Sequence, residues 1–256
     1  MTIDLGAWLT GGVFAFMLLF CRIGSAFMVL PGFGEVFTPA RFRLLLALGL
    51  CFALVPVLGP RLPSMPTGAG ASFLLIATEI MTGLFMGLFA RVLVLILENA
   101  GMVISHQMGL ANAHMFNPQI ETQGSFAGML LSLLGLVLLF ETDLHHMMIL
   151  GVVESYDTFV PGASLMVDDM AETFARTVSS AFTIGVQIAA PMLIVGLMLY
   201  FALGLLARLM PQFQVFFVAL PLQIFMGFLV MLLSLDAMML FWLTCFEDRM
   251  TTLFGL

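Results

Sequence analysis

The chain has 256 residues, of which 62% are hydrophobic and 9% are charged, and its formal net charge is −7. Soluble domains carry about 25% charged residues, so this composition excludes a soluble globular protein and predicts an integral membrane protein made of apolar helices. All eight basic residues are Arg, which leaves no basic surface for nucleic acid and no polybasic run for anionic lipid.

Six apolar segments predict an all-α chain, which we treat as one domain over residues 1–256. They cover residues 7–30, 44–58, 72–105, 121–153, 171–210 and 212–246. No positively charged segment precedes the first of them, so we expect it to be retained and not cleaved as a signal peptide. Pro191 lies inside the fifth segment and predicts a kink there.

The third segment is unusually long. Its roughly 34 residues would make a helix of about 50 Å, whereas the hydrocarbon layer is about 30 Å thick. Such a helix must tilt steeply, project beyond the bilayer, or break near Asn99-Ala100-Gly101. Gly83 and Gly87 within it form a G-x-x-x-G pattern, which predicts a helix-packing face.

A polar, glycine-containing stretch over residues 98–119 interrupts the apolar sequence and ends in Asn117-Pro118, a turn signal. Unsatisfied backbone costs several kcal/mol in hydrocarbon, so a break at membrane depth lies within protein or lines a wet cavity. We therefore predict a pathway beside this stretch. Met108 and Met115 would give it a deformable lining.

No motif for catalysis or cofactor binding is present, so the sequence predicts no catalytic residue, no cofactor and no enzyme activity. His145 and His146 are adjacent, and on a helix they should point about 100° apart and not share a metal. A shared site of His106 and His114 is a weak alternative. The cysteines at 21, 51 and 245 are far apart and predict small buried side chains.

Charged and amide side chains inside the apolar segments have two interpretations. Charges are costly in lipid, so they either form an ion relay or pair with partners, and we favour pairing. The charged set is Arg22, Glu79, Arg91, Glu98 and Asp236. The amides should form interhelical hydrogen bonds; this set is Asn99, Gln107, Gln187, Gln212, Gln214 and Gln223.

Three stretches carry a resemblance to a known family. They are Arg22-Ile23-Gly24 with the later Pro31-Gly32-Phe33-Gly34; the A-G-x-x-I-x-x-Q-x-G-L run at 100–110 with Phe116-Asn117-Pro118; and the L-A-R-x-x-P-Q run at 206–212, leading into Leu220-Pro221-Leu222. On these motifs the chain resembles the FliR family, a membrane component of the flagellar type III protein export gate, along nearly its whole length.

The resemblance implies a FliP-like part at about 1–170, which contains the pore loop, followed by a FliQ-like hairpin at about 171–256. It implies a helical assembly with FliP-like and FliQ-like subunits and an FlhB-like subunit, largely lifted out of the bilayer plane into the basal body at the inner membrane. It places a pore plug at 106–123, with His106, Gln107, Met108, Gly109, Leu110, Ala113, Met115, Phe116, Asn117 and Pro118. We assign Arg208, Pro211, Gln212 and Pro221 to a turn or a subunit contact.

The expected function is therefore a pore-forming subunit that passes unfolded flagellar proteins, without a catalytic residue of its own. The nearest alternative is the equivalent subunit of a virulence injectisome. A more distant one is a stand-alone secondary transporter in which Arg22, Glu98 and Asp143 form a relay. The transporter alone predicts activity of the single protein in liposomes.

Overall fold

The computed structural model describes residues 5–110, 125–164, 166–210 and 215–254. These residues form seven α-helices and a short 3-10 turn at Gly59–Arg61, and no strand is found among them, so the all-α prediction is confirmed. The helices are α1 (Leu5–Val29), α2 (Ala40–Leu58), α3 (Ala69–Gln107), α4 (Phe126–Glu141), α5 (Leu144–Thr158), α6 (Val167–Leu209) and α7 (Val215–Phe254).

Five of the described helices are long and apolar enough to cross a membrane, and α4 with α5 would make a sixth span. The qualifying stretches are Gly11–Val29, Ala40–Arg61, Ala69–Gln107, Val167–Leu209 and Ala219–Leu253. Pro191 lies inside the continuous helix α6, and Pro221 lies inside the continuous helix α7. The kink at Pro191 stays a prediction.

Of the three alternatives for the long third segment, the break near Gly101 is excluded, because α3 runs unbroken for 39 residues, about 58 Å at 1.5 Å per residue. One helix prediction is wrong. The single helix predicted over 121–153 is instead divided into α4 and α5 at Thr142 and Asp143. Asp143 adopts a left-handed backbone with φ of 58°, which ends one helix and redirects the chain into the next. Asp tolerates this conformation better than most residues, but nothing in the sequence around Asp143 predicts that a helix ends there.

The described residues group into two compact units, each assembled from separate stretches of sequence. The first unit takes its described residues from 1–92, 143–176 and 250–256, and the second from 93–142 and 177–249. The division into a FliP-like part and a FliQ-like hairpin near residue 170 stays a prediction.

A buried ion pair lies at the centre of the first unit. Arg22 on α1 and Glu79 on α3 are each 1% exposed, and the Arg22 Nε and Nη2 groups donate to the two Glu79 oxygens at 2.7 and 3.0 Å. Arg22 also donates to Ser155 Oγ and to the Phe159 carbonyl, and it stacks over Tyr156, 4.0 Å from the ring centroid. The guanidinium thus joins α1, α3 and the C-terminal end of α5.

The pairing interpretation is confirmed for Arg22, Glu79 and Arg91, since Arg91 pairs with Glu35. Glu98 is half-buried and Asp236 is exposed.

An apolar cluster of Phe14, Leu18 and Leu75 adds to the core of the first unit.

The second unit is built around a buried indole. Trp242 on α7 is 0% exposed, and its Nε1 donates to the Leu93 carbonyl of α3 at 2.9 Å. Its ring lies 5.4 Å from that of Phe246. α3 and α4 approach closely at Gly101, where a Cβ would overlap the backbone of Gly128. This contact explains why a glycine in α3 serves packing and not a break.

Replacing Glu79 with Leu should lower the free energy of unfolding by about 3–5 kcal/mol, because it leaves the Arg22 charge buried and unpaired. The Arg22→Met/Glu79→Leu double variant should recover most of that loss. The control is Asp157→Ala, which breaks an exposed pair with Arg61 and should cost less than about 1 kcal/mol. Unfolding of the purified protein in detergent measures all three, and equal losses for Glu79→Leu and Asp157→Ala would contradict the prediction.

Candidate functional site

The polar stretch over residues 98–119 begins in the structure as helix. Residues 98–107 belong to α3, which ends at Gln107, close to the end of the third apolar segment predicted at 72–105. Ser105 shows why these polar residues fit, since its Oγ accepts from the Ala127 backbone N–H at 3.2 Å. The candidate site is thus the end of α3 and the residues that hold it.

Gly109 ends α3. The Met108 N–H donates to the Ile104 carbonyl and the Gly109 N–H to the His106 carbonyl, so the last turn closes with short-range bonds. Gly109 has a φ of 74°, the left-handed conformation in which glycine commonly ends helices. The backbone therefore turns away from the α3 axis at a fixed point.

Gln223 of α7 caps this helix end from the side. It is 6% exposed, and its Nε2 donates to the Gln107 carbonyl at 2.6 Å and to Tyr200 Oη of α6 at 2.9 Å. The last carbonyls of a helix lack intrahelical donors, so the amide satisfies a group that would otherwise stay unpaired. A Cβ on Gly109 would lie 3.2 Å from the Gln223 amide oxygen, so the two residues pack tightly.

Two side chains at the end of α3 pack against further glycines, one on α7 and one on α6. Met108 is 0% exposed, and its Cγ would lie 2.5 Å from a Cβ on Gly227 of α7. Gln107 Oε1 would lie 2.5 Å from a Cβ on Gly196 of α6. That oxygen is buried and has no hydrogen-bond partner among the described residues. The side chains at the end of α3 thus pack directly against glycines of α6 and α7.

The predicted plug residues fall partly within the described part of the chain. His106 is exposed, Gln107 and Leu110 are half-buried, and Met108 and Gly109 are buried. Outside the described residues lie Ala113, Met115, Phe116, Asn117, Pro118, Pro211 and Gln212. Arg208 and Pro221 are exposed. The functional roles of all of these residues stay predictions.

Sequence reasoning missed part of this cluster. Gln107 and Gln223 stood out as amides in apolar helices, and both enter the network. Tyr200, Gly196 and Gly227 had no distinguishing pattern, because single glycines and a helix-surface tyrosine are common in membrane helices. Their place in the cluster follows only from the packing of α3 against α6 and α7 in the structure.

The G-x-x-x-G pattern lies against α1. A Cβ on Gly83 would overlap the Arg22 carbonyl and Ser25 Oγ, and one on Gly87 would lie 2.9 Å from the Ala26 carbonyl. These close approaches bring α1 and α3 into backbone contact, one and two turns beyond Glu79 of the buried ion pair.

The expectation that His145 and His146 point apart is wrong. Their ring centroids are 4.0 Å apart, and each offers a nitrogen within 4.8 Å of an Asp143 carboxylate oxygen. The 100° separation applies to Cα–Cβ directions, and side-chain rotamers can still bring two adjacent rings together. The cluster lies at the positive end of the α5 dipole, which disfavours a cation. The absence of a metal site stays a prediction.

The fold and this helix end define a class: an all-α protein with several membrane-type helices and a polar stretch held at the end of the longest apolar one. The model of "Bacterial export proteins, family 1" matches residues 13–249. The chain is 36% identical to the flagellar biosynthetic protein FliR of Caulobacter vibrioides, over 90% of this chain and 92% of that protein. It therefore belongs to the FliR family of bacterial export proteins, and the resemblance seen in its motifs is confirmed.

Two further relatives show the breadth of the family. FliR of Bacillus subtilis is 28% identical, over 87% of this chain and 86% of that protein. The Yop proteins translocation protein T of Yersinia pestis is 28% identical, over 81% of this chain and 80% of that protein. The chain thus spans most of the length of each relative.

Replacing Gly83 with Val should destabilise the first unit by about 1–3 kcal/mol, because the added atoms meet the backbone of α1, which cannot rotate away. Gly49→Val is the matched control, since nothing lies within 4 Å of a Cβ at that position of α2. Thermal unfolding of the purified chain in detergent gives the comparison. A Gly83→Val protein as stable as the Gly49→Val protein would contradict the close contact.

Proposed function

We propose that this chain is a structural, pore-forming subunit of the flagellar type III protein export gate, and that residues 106–123 act as its plug. The observation that carries the proposal is the anchored helix end, where α3 stops at Gly109 under the buried Gln223 amide. A polar stretch that leaves such an anchor can move between a packed and a displaced state while its base stays in place.

The sequence that follows the anchor supports a pore location. Residues 111–119 contain three amide side chains, a histidine and a proline. Lipid does not accommodate such a backbone unless it is helical, so the stretch belongs inside protein or beside water. In this proposal it closes the channel at rest and yields when an unfolded flagellar protein is exported.

Apolar side chains on α2 and α6 support an assembly with other membrane subunits. Phe52 on α2 is 78% exposed, and Leu197 and Phe201 on α6 are 73% and 76% exposed. Large apolar side chains this exposed on membrane-type helices are covered by lipid or by partner chains. We propose FliP-like and FliQ-like subunits and an FlhB-like subunit as those partners, in the flagellar basal body at the bacterial inner membrane.

The proposed role needs no chemistry from this chain. Export through a channel requires a shaped path and a closing element, and other subunits would supply energy and substrate selection. We accordingly propose that the chain is not an enzyme and uses no cofactor.

The equivalent injectisome subunit is a second candidate, favoured by the likeness to the Yop proteins translocation protein T. The higher identity to a flagellar FliR, 36% against 28%, favours the flagellar system. A stand-alone transporter has less support, because Arg22 of its supposed relay is held by Glu79, Ser155 and the Phe159 carbonyl.

Purification in mild detergent from the native membrane, followed by mass spectrometry, tests the proposal. We expect two small membrane proteins that resemble FliP and FliQ, in a fixed ratio to this chain. Exported flagellar proteins found in the same sample would identify the flagellar export gate, and injectisome proteins would identify the second candidate. A clean monomer or homodimer that transports a solute in liposomes would overturn the export-gate proposal.

Deletion of Gly109–Phe116 should make the membrane leak ions and small solutes while the complex still assembles, because the deletion removes the centre of the proposed plug but leaves Ala69–Gln107 of α3. Uptake of a membrane-impermeant dye by cells measures the leak. Co-purification of the partner subunits is the control for assembly. Normal assembly with an unchanged leak would refute the plug.

A further inference from the structure

We propose that the turn between α1 and α2 binds lipid: Val36 and Phe37 enter the interface of a bilayer, and Arg41 binds the phosphate of an anionic lipid. The turn covers residues 30–39 and joins two helices that are each long and apolar enough to cross a membrane. An irregular connector between two such helices lies at a membrane surface. The inference goes beyond the proposed export function and does not depend on the plug.

The tip of the turn exposes two large apolar side chains next to each other. Val36 is fully exposed and Phe37 is 67% exposed. Single exposed apolar residues are common on protein surfaces, whereas adjacent ones at the tip of a connector form a small apolar contact surface. Burial of each side chain would be favourable, so the tip fits an apolar environment better than water.

The same turn buries another aromatic residue, so the exposure of Phe37 is specific to its position. Phe33 is 9% exposed, and its ring lies 4.9 Å from that of Phe27 on α1. Gly34 follows with no room for a side chain, since a Cβ there would lie 2.6 Å from the Met28 carbonyl oxygen. The turn thus packs against the end of α1 up to Gly34, and its tip comes after that point.

Polar contacts on both sides of the tip hold the turn in place. The Glu35 carboxylate pairs with Arg91 of α3, which ties the turn to a further helix. Arg43 of α2 donates from Nη2 to the Glu35 and Thr38 carbonyls at 3.2 and 3.3 Å. The Thr38 hydroxyl donates to the Gly32 carbonyl at 3.2 Å. These contacts bracket the two apolar residues, so a fixed turn holds them outward.

Arginines give the turn a positive charge that suits an anionic headgroup. The turn and its contacts contain three arginines, at 41, 43 and 91, and one glutamate, at 35, so their combined charge is +2 in a chain of net charge −7. Two of these arginines are engaged by the turn itself. Arg41 is exposed at the start of α2 and makes no side-chain hydrogen bond to a described residue. Its guanidinium can therefore bind a phosphate with two parallel hydrogen bonds.

A phospholipid matches both features of the turn. It presents a phosphate beside acyl chains, so one molecule can meet Arg41 and the apolar tip together. A single headgroup contact of this kind needs no polybasic run. A protein partner would instead shield the tip from lipid, which gives the two occupants different signatures.

Replacing Phe37 with Trp places a fluorescent side chain at the tip, and the unmodified protein gives the background of the two native tryptophans. The full chain is purified with the subunits that accompany it and is reconstituted in phosphatidylcholine vesicles that contain phosphatidylglycerol as the minor lipid. The same share of brominated lipid, a contact quencher of tryptophan, is supplied as one lipid or the other. We expect the quenching to show about a three- to five-fold local enrichment of phosphatidylglycerol, the effect of one arginine near a membrane surface.

Arg41→Gln in the Phe37→Trp protein should remove most of this enrichment, because it removes the unpaired charge. Arg176→Gln is the matched control and should change nothing, since Arg176 is exposed but already paired with Glu172. Met65→Trp is the control for position: Met65 is exposed in the loop before α3, and a tryptophan there should show no preference between the two lipids.

The outcomes distinguish the lipid site from other surroundings of the turn. Enrichment that Arg41→Gln removes and Arg176→Gln preserves supports the proposal. Equal quenching by both lipids would show that the tip meets the bilayer without a headgroup site, and would overturn it. Protection from both lipids and from aqueous acrylamide would identify a protein partner over the turn, and quenching by acrylamide alone would place the tip in water; either result would also overturn the proposal.

A second variant, Val36→Trp, keeps the proposal testable if Phe37→Trp does not fold or assemble. Val36 is fully exposed, so a larger side chain there displaces no neighbour. The same enrichment and the same dependence on Arg41 are expected. A Val36→Trp protein that assembles with its subunits but shows no preference for phosphatidylglycerol would refute the lipid site.

Discussion

Close contact between α3 and its neighbours is the constraint on which both units depend. Lipid is as apolar as leucine, so burial of apolar surface does not by itself bring helices together in a membrane. Packing and interhelical hydrogen bonds take its place. α3 meets α1 at Gly83 and α4 at Gly101, with no room for a side chain at either point. It also supplies Glu79 to the buried arginine and the Leu93 carbonyl to Trp242. The first unit and the second unit are each organised around a segment of this one helix.

Each unit contains a buried polar atom without a hydrogen-bond partner among the described residues. In the first unit, the Arg22 guanidinium donates to a carboxylate, a hydroxyl and a carbonyl, and loss of the carboxylate would leave its buried charge unpaired. The Tyr156 hydroxyl, on the ring beneath that guanidinium, is buried and makes no hydrogen bond to a described residue. In the second unit, the Gln223 amide donates twice, whereas the buried Gln107 Oε1 accepts no hydrogen bond from the described residues.

Two kinds of contact hold the described apolar helices together. Backbone approaches at glycine and a paired charge join α3 to α1, and a further glycine contact joins α3 to α4. At the end of α3, a buried amide and a buried methionine make the contacts. Exposed apolar faces on α2 and α6 add the means to join an assembly. The family to which the chain belongs, described as bacterial export proteins, is consistent with this arrangement.

The sequence by itself determined the class, the all-α fold and the family, because composition, apolar segment length and short motifs are local properties of the chain. It also indicated that charges such as Arg22 and Glu79 would have partners, since charges in apolar helices are costly unless paired; that these two pair with each other came only from the structure. Only the tertiary structure decided where α3 ends, that Asp143 divides a predicted helix, and that Gln223 reaches Gln107. The reason is physical: the Gln107–Gln223 contact joins residues 116 positions apart, and whether a glycine breaks a helix or admits a neighbour depends on which helix lies against it. Spacing along one segment cannot specify that neighbour.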